Sequence, residues 1–236
     1  MTSAIIMAGG GGARSGQSVP KQFLTVNDVP VIVYTMMNLQ SIAMIDKMIV
    51  VGPAGWENFI WTYAQQFGIT KLEKVITGGE TRNQSIYNGL CFLKEDGKTD
   101  KVCLADANRP LVPQKIFEDV ITLADQCDLA LATEPCYDSM FVSEDGMTLE
   151  QNARRDNLVR GYTPECAKLS SLLELYEDAK ILKDPSLSTT GLAVEKGKKV
   201  ISVRGHIKCF KITTADDFEL FKALLSQEPM HNLRHG

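Results

Sequence analysis

Four consecutive glycines, Gly9 to Gly12, follow a short apolar run from Ser3 to Met7 and open the stretch AGGGGARSGQSVPKQF at residues 8–23. A buried strand that empties into glycines leaves its backbone N–H groups able to converge on an anion with no Cβ in the way. Arg14 lies inside this loop and Lys21 follows it after Pro20, so two cations are delivered to the nest, as a triphosphate requires. The loop is not a Walker loop, because Gly16 is followed by Gln17 rather than Lys, and no register completes G-x-G-x-x-G. Two further candidates, Gly78-Gly79-Glu80 and Asp106 to Arg109, also follow apolar runs. A lone Asp at the end of a strand either anchors a metal or caps a loop.

Other chemistries fare worse. The histidines are His206, His231 and His235; the last two have i, i+4 spacing but no third ligand for zinc. No G-x-S-x-G marks a hydrolase nucleophile. Six cysteines, Cys91, Cys103, Cys127, Cys136, Cys166 and Cys209, contain no C-x-x-C and read as reduced thiols of a cytoplasmic protein. Trp56, Trp61 and Phe67 fall on one helical segment and read as core rather than as a platform for a base.

The elements that must position these residues alternate. KMIVVG (47–52), KVIT (74–77), KVCLAD (101–106) and DLALAT (128–133) have strand length. Between them lie segments with helical spacing, such as Ile116/Val120/Ile121/Leu123/Ala124. Alternation of this kind predicts an α/β fold with a doubly wound, mostly parallel, Rossmann-like sheet, whose ligands sit outside the carboxyl ends of the strands. After Thr133 the alternation breaks into a turn-rich segment containing Asp145-Gly146, which predicts a protruding β-hairpin arm at residues 135–162 on a single domain spanning 1–236. A helix at 167–179, strands at 199–203 and 208–212, and a last helix capped from Thr214 follow, ahead of a polar tail from Gln227.

The chain has 236 residues, 25 Lys and Arg against 29 Asp and Glu, and a formal charge of −4, so it carries no basic field for a nucleic-acid backbone. No apolar run approaches membrane-spanning length, and the short N-terminal run reads as a first strand, not a secretion signal. The arm, folded alone, leaves Phe141, Met147 and Leu149 poorly covered, which predicts a homodimer.

The ordered set AGGGGARSGQSVPKQF, GGETRNQSI (78–86), DANRP (106–110), DSM (138–140), TPE (163–165) and IKCFKITTADDFEL (207–220) resembles the cytidylyltransferases that act on 2-C-methyl-D-erythritol 4-phosphate or ribitol 5-phosphate. The resemblance covers nearly the whole chain. It implies CMP transfer from CTP to a phosphorylated polyol or a phosphonate, with Mg²⁺ as cofactor. Arg14, Lys21 and Lys211 match the catalytic cations, while Ala8, Gly9, Gly10, Gly11, Gly79, Glu80, Ser85 and Asp106 match nucleotide-binding positions. Asp106 also matches the metal anchor, and Arg109, Ser139 and Arg155 match acceptor-binding positions, the last two reaching across a dimer. The implied product serves a surface polysaccharide. Three departures stand out: Ala105 and Asn108 around Asp106, where the family usually reads HDAxRP; Ser188-Thr189-Thr190-Gly191, near the family's acceptor side, where many relatives read TD(D/E)A; and the hairpin around Tyr137 and Met140 to Phe141. They turn the expectation away from methylerythritol phosphate as acceptor, leaving that enzyme and a non-catalytic CTP-binding homologue as alternatives.

Overall fold

The computed structural model describes residues 1–9, 19–177, 182, 184 and 186–227. Gly10, Gly11, Arg14, His231 and His235 therefore lie outside the described residues, as do positions 178–179 of the helix expected at 167–179.

In chain order the elements are β1 (Thr2–Met7), β2 (Thr25–Val26), β3 (Val29–Pro30), α1 (Val31–Gln40), β4 (Lys47–Gly52), α2 (Glu57–Gln66), β5 (Leu72–Thr77), α3 (Arg82–Asp96) and β6 (Lys101–Asp106). They continue with α4 (Gln114–Leu123), β7 (Leu129–Pro135), β8 (Met140–Val142), β9 (Gln151–Ala153), β10 (Val159–Lys168), α5 (Leu169–Tyr176), α6 (Thr189–Glu195), β11 (Val200–Arg204) and α7 (Ala215–Gln227). Among the described residues the main sheet has the order β11-β7-β10-β6-β1-β4-β5.

The sheet is covered on both faces, and alternation along each strand sorts its side chains between them. Ala4 and Ile6 of β1, with Met48 and Val50 of β4, face a core completed by Ile32 and Met36 of α1 and Val120 of α4. Ile5 and Met7, with Ile49 and Val51, face the opposite core, built from Ile86 and Leu90 of α3 and Leu172 of α5. Trp56, Trp61 and Phe67 pack against the first core, Trp56 stacking on Phe23 at 4.1 Å between ring centroids, as the core reading expects.

One strand departs from the parallel pattern. β10 runs antiparallel to both β6 and β7, while the other pairings of the main sheet are parallel. The reason is connectivity: the chain leaves β7 and returns through the arm without a crossover helix, so the returning strand reverses direction. Val159 pairs with Pro135 and Arg160 with Glu134 at the root of the arm, and β8 pairs with β9 farther out. The Asp145 carboxylate accepts from the N–H groups of Met147 and Thr148 at 2.7 and 2.6 Å, and Gly146 takes φ +73°; Asp145-Gly146 thus sits within a longer connection between β8 and β9.

Two boundaries differ from expectation. The helix expected from residue 167 starts at Leu169, because Cys166 and Ala167 still pair with β6 as fully buried strand residues. The strand expected at 208–212 is a 3₁₀ turn, Ile207–Cys209, followed by an extended connection. Cys209 and Ile212 are its buried anchors, a spacing of three that no strand face provides.

Candidate functional site: a cation-ringed aspartate at the carboxyl end of the sheet

Asp106 ends β6 opposite Met7 of β1, and only 6% of it is exposed. Its Oδ2 accepts from Arg109 Nε at 3.0 Å and lies 3.1 Å from Lys211 Nζ; a guanidinium nitrogen of Arg82 stands 4.0 Å from Oδ1. Burial alone would discourage the charge. The attraction of Lys211, Arg82 and Arg109 outweighs it and holds the Asp106 carboxyl at a pKa of about 2. Three cations on one carboxylate leave the site with surplus positive charge, suited to an anion.

Each cation is held by local structure. Arg109 also donates to the Cys209 carbonyl, and its guanidinium lies 5.3 Å from the centre of the Tyr162 ring. Lys211 is placed by its neighbour: the Ile212 N–H donates to the Asn108 carbonyl at 2.9 Å, and the Asn108 side chain donates to the Ile212 carbonyl at 2.8 Å. Ile212 is buried with Phe221 of α7 and Tyr34 of α1, so the C-terminal helix is the weight that pins Lys211 to Asp106. The Thr214 hydroxyl accepts from the Asp217 N–H at 3.2 Å while Asp217 accepts from the Thr214 N–H at 2.7 Å, the reciprocal cap expected at the start of that helix. Lys21 sits half-buried on a 3₁₀ turn whose Phe23 is buried and whose Gln22 side chain donates to the Ala8 carbonyl.

Beside this cluster lies a shelf of bare backbone. The Gly79 N–H donates to Ser85 Oγ at 3.1 Å, and that hydroxyl donates to the Thr81 carbonyl at 2.9 Å. A Cβ on Gly78 would stand 2.8 Å from Ser85 Oγ, and one on Gly9 would stand 3.3 Å from it. Side chains are thus excluded where the ends of β1 and β5 approach the start of α3. Glu80, exposed, has its N–H fixed by the Gln84 side chain at 2.8 Å.

The sequence profile of the IspD family, 2-C-methyl-D-erythritol 4-phosphate cytidylyltransferase, matches residues 2–227. The chain belongs to this cytidylyltransferase family. The ribitol-5-phosphate cytidylyltransferase of Lacticaseibacillus paracasei is 35% identical to it over 98% of this chain and 100% of the relative. The 2-C-methyl-D-erythritol 4-phosphate cytidylyltransferase of Alkaliphilus oremlandii is 29% identical over 100% of this chain and 97% of its own. In fold, the 4-diphosphocytidyl-2C-methyl-D-erythritol synthase of Anaerococcus prevotii superposes with a TM-score of 0.82 at 23% identity, covering 96% of each chain. As a cytidylyltransferase, the chain is a CTP-dependent nucleotidyltransferase with the α/β, mostly parallel architecture expected from its alternating pattern.

This cytidylyltransferase adds residues to the site that sequence reading missed. Arg82 occupies the first position of α3, where the helix dipole disfavours a cation, and that misplacement was the available signal. Burial opposes its charge, but the carboxylates of Glu165 and Asp106 raise its pKa above the ordinary value. Glu165 is a charged residue in a buried stretch of β10 and is 5% exposed; its Oε1 accepts from the Thr190 hydroxyl at 3.0 Å. The Tyr176 and Thr189 hydroxyls are 2.7 Å apart beside it. Thr189 and Thr190, at the start of α6, are thus engaged by a tyrosine of α5 and by a carboxylate of β10.

Ser139 and Arg155 lie elsewhere. They line one open cleft of about 260 Å³ on the arm, with Asn152, Ala153, Arg154 and Asp156, and Arg155 donates to the Tyr137 carbonyl at 2.8 Å. The structure brings those two together, and brings Asp106, Arg109 and Lys211 together, but no residue of the second group lines the cleft of the first.

Proposed function

We propose that this cytidylyltransferase moves CMP from CTP to a small phosphorylated acceptor of the ribitol 5-phosphate type, or to a phosphonate, giving a CDP-activated product and pyrophosphate. The ring of Arg82, Arg109 and Lys211 on a buried Asp106, next to the Gly78-Gly79-Ser85 shelf, is the observation that carries this reading. An oxygen of the acceptor attacks the α-phosphorus of CTP in line, the bond to the bridging oxygen breaks, and pyrophosphate departs. A phosphate monoester loses its second proton near pH 6, at about the value for phosphorylated side chains, so the attacking oxygen is already anionic and needs no general base. Positioning and positive charge are what remain to be supplied.

In this reading Arg14, Lys21 and Lys211 stabilise charge at the α-phosphate, and Ala8, Gly9, Gly10, Gly11, Gly79, Glu80 and Ser85 hold the nucleotide. Asp106 orients Arg109 and Lys211 and meets the ribose and the metal. Mg²⁺ fits Asp106, a carboxylate held in its charged form whose Oδ2 is engaged by Arg109 and Lys211 and whose Oδ1, 4.0 Å from Arg82, would meet a hydrated ion. Among the described residues no group of three or more His, Cys, Asp or Glu could cage a metal, which suits an ion held largely by substrate phosphates. Such an ion would supply neutralising charge to the triphosphate.

The arm completes the proposal. Tyr137, Phe141, Met147, Leu149 and Val159 are exposed, an apolar surface suited to a second copy of the chain. In a homodimer, Ser139 and Arg155 serve the acceptor bound at the partner's Asp106 cluster, and segment 135–162 acts as the dimerisation arm of a single domain. The enzyme works in the cytoplasm, on a precursor of a cell-surface polysaccharide. The test is pyrophosphate release from CTP and Mg²⁺ with ribitol 5-phosphate, glycerol phosphates, methylerythritol phosphate and small phosphonates. Release with ribitol 5-phosphate or a phosphonate supports the reading. Release with methylerythritol phosphate alone would assign the isoprenoid reaction, and CTP binding without release under any acceptor would mark a non-catalytic homologue.

A further inference from the structure

Glu165 presents a buried carboxylate that the protein satisfies on one side only. Its Oε1 accepts from Thr190, whereas its Oε2 is buried without a hydrogen-bond partner. Leaving a polar atom unsatisfied at this depth is costly, the more so for a charged group, and native proteins seldom keep one without a use. Its placement supplies the use. Glu165 stands opposite Leu104 on β6, so it shares a sheet face with Leu104 and with Asp106 two residues on. Thr163, two residues before it, accepts from the Asp106 N–H at 3.3 Å. Arg82 lies within the field of both carboxylates; it approaches Asp106 to 4.0 Å, and no hydrogen bond joins it to Glu165. A guanidinium beside Asp106 and a half-satisfied carboxylate on the same sheet face match a ligand that carries an anion at one end and a hydrogen-bond donor a few bonds away.

We propose that Glu165 selects the acceptor, its unpartnered oxygen accepting a hydrogen bond from a hydroxyl or ammonium group on the acceptor's carbon chain. This rests on the reading that the chain transfers CMP to a small phosphorylated or phosphonate acceptor. Thr190 is the positioning residue that fixes the other oxygen.

The test pairs an enzyme variant with a substrate change. Glu165→Gln keeps the shape and places an N–H where the acceptor oxygen stood. Wild type and variant are compared on two acceptor pairs: ribitol 5-phosphate against its deoxy analogues, and 2-aminoethyl phosphate against ethyl phosphate. The first pair reads a hydroxyl and the second an ammonium. Wild type should favour the donor-bearing member of one pair by about 10- to 100-fold in kcat/KM, and Glu165→Gln should abolish most of that preference through KM for the acceptor. Affinity for a non-hydrolysable CTP analogue should stay within about threefold. Thr190→Val, which leaves the carboxylate in place, should give a smaller loss in the same direction. Equal losses on both members of each pair would make Glu165 a packing residue and overturn the proposal, as would a wild type with no preference. Where no acceptor is turned over, the CMP-transfer reading fails on its own; calorimetry of the same acceptors on the protein loaded with the CTP analogue still reads Glu165, and equal binding to wild type and variant overturns the selection role.

Discussion

The Asp106 cluster and the arm are built on opposite plans. At the carboxyl end of β6 a buried carboxylate is gripped by residues from three separated parts of the chain, and each grip is backed by core packing: Ile212 under Lys211, Tyr162 under Arg109, the start of α3 behind Arg82. In the arm, β8 and β9 pair over three residues each, β8 is exposed throughout, and Phe141 is 47% exposed. The first region spends its packing on geometry, which stabilising a transition state demands. The second leaves its packing unspent, as the dimer proposed above requires.

Four variants break or sharpen that contrast. Phe221→Ala removes the ring that meets Tyr34 edge-on at 5.3 Å and should cost about 3–5 kcal/mol in chemical denaturation, with activity falling as Lys211 loses its anchor. A cost under about 1 kcal/mol would separate the C-terminal helix from the site. Lys21→Ala should lower kcat by about 10²–10³-fold with an unchanged melting temperature, and near-normal turnover would remove Lys21 from the chemistry. Asp106→Asn tests the buried charge itself. The folded pKa of about 2 lies below the unfolded value of about 4, so the carboxylate's contribution is present above pH 4 and disappears as pH falls towards 2. The variant should therefore be about 2 kcal/mol less stable at pH 7, with the gap closing through that window; a gap independent of pH would refute the electrostatic account. For the same reason the acid limb of kcat/KM should fall near pH 6, where the acceptor phosphate titrates, and not near the pKa of Asp106. The smallest effect is reserved for the arm: Phe141→Ser with Met147→Ser should change folding stability by no more than about 0.5 kcal/mol, yet convert a dimer to a monomer in sedimentation. Unaltered sedimentation would mean the arm's apolar surface does not hold copies together.

Much of the scaffold was legible from sequence because burial wrote it twice. KMIVVG and KVCLAD are apolar runs, and both became strands with the expected bounds, since strands covered on both faces need no polar alternation. The convergence of Asp106, Arg109 and Lys211 was reachable through the ordered motifs, though nothing local says that residue 211 returns to residue 106. The connection at 208–212 misled because alternating apolar residues suit a strand as well as a chain pinned at Cys209 and Ile212. Arg82 and Glu165 were missed for a different reason. A cation at a helix start and an acid in a buried strand are each weak signals in isolation, and only folding brings Arg82 to Asp106 and into the field of Glu165.

The antiparallel course of β10 has an evolutionary corollary. Because the chain turns back from β7 into β10 with no helix to accommodate, the intervening segment can lengthen, shorten or be exchanged while the strand pairing on either side keeps its register. β10, which leaves the arm at Val159, then carries Thr163 and Glu165 within its first seven residues to the flank of Asp106. If the arm serves acceptor and partner as proposed, editing that one insertion and the strand it feeds would retune which molecules receive the nucleotide, and which copies associate, without touching the cluster at Asp106.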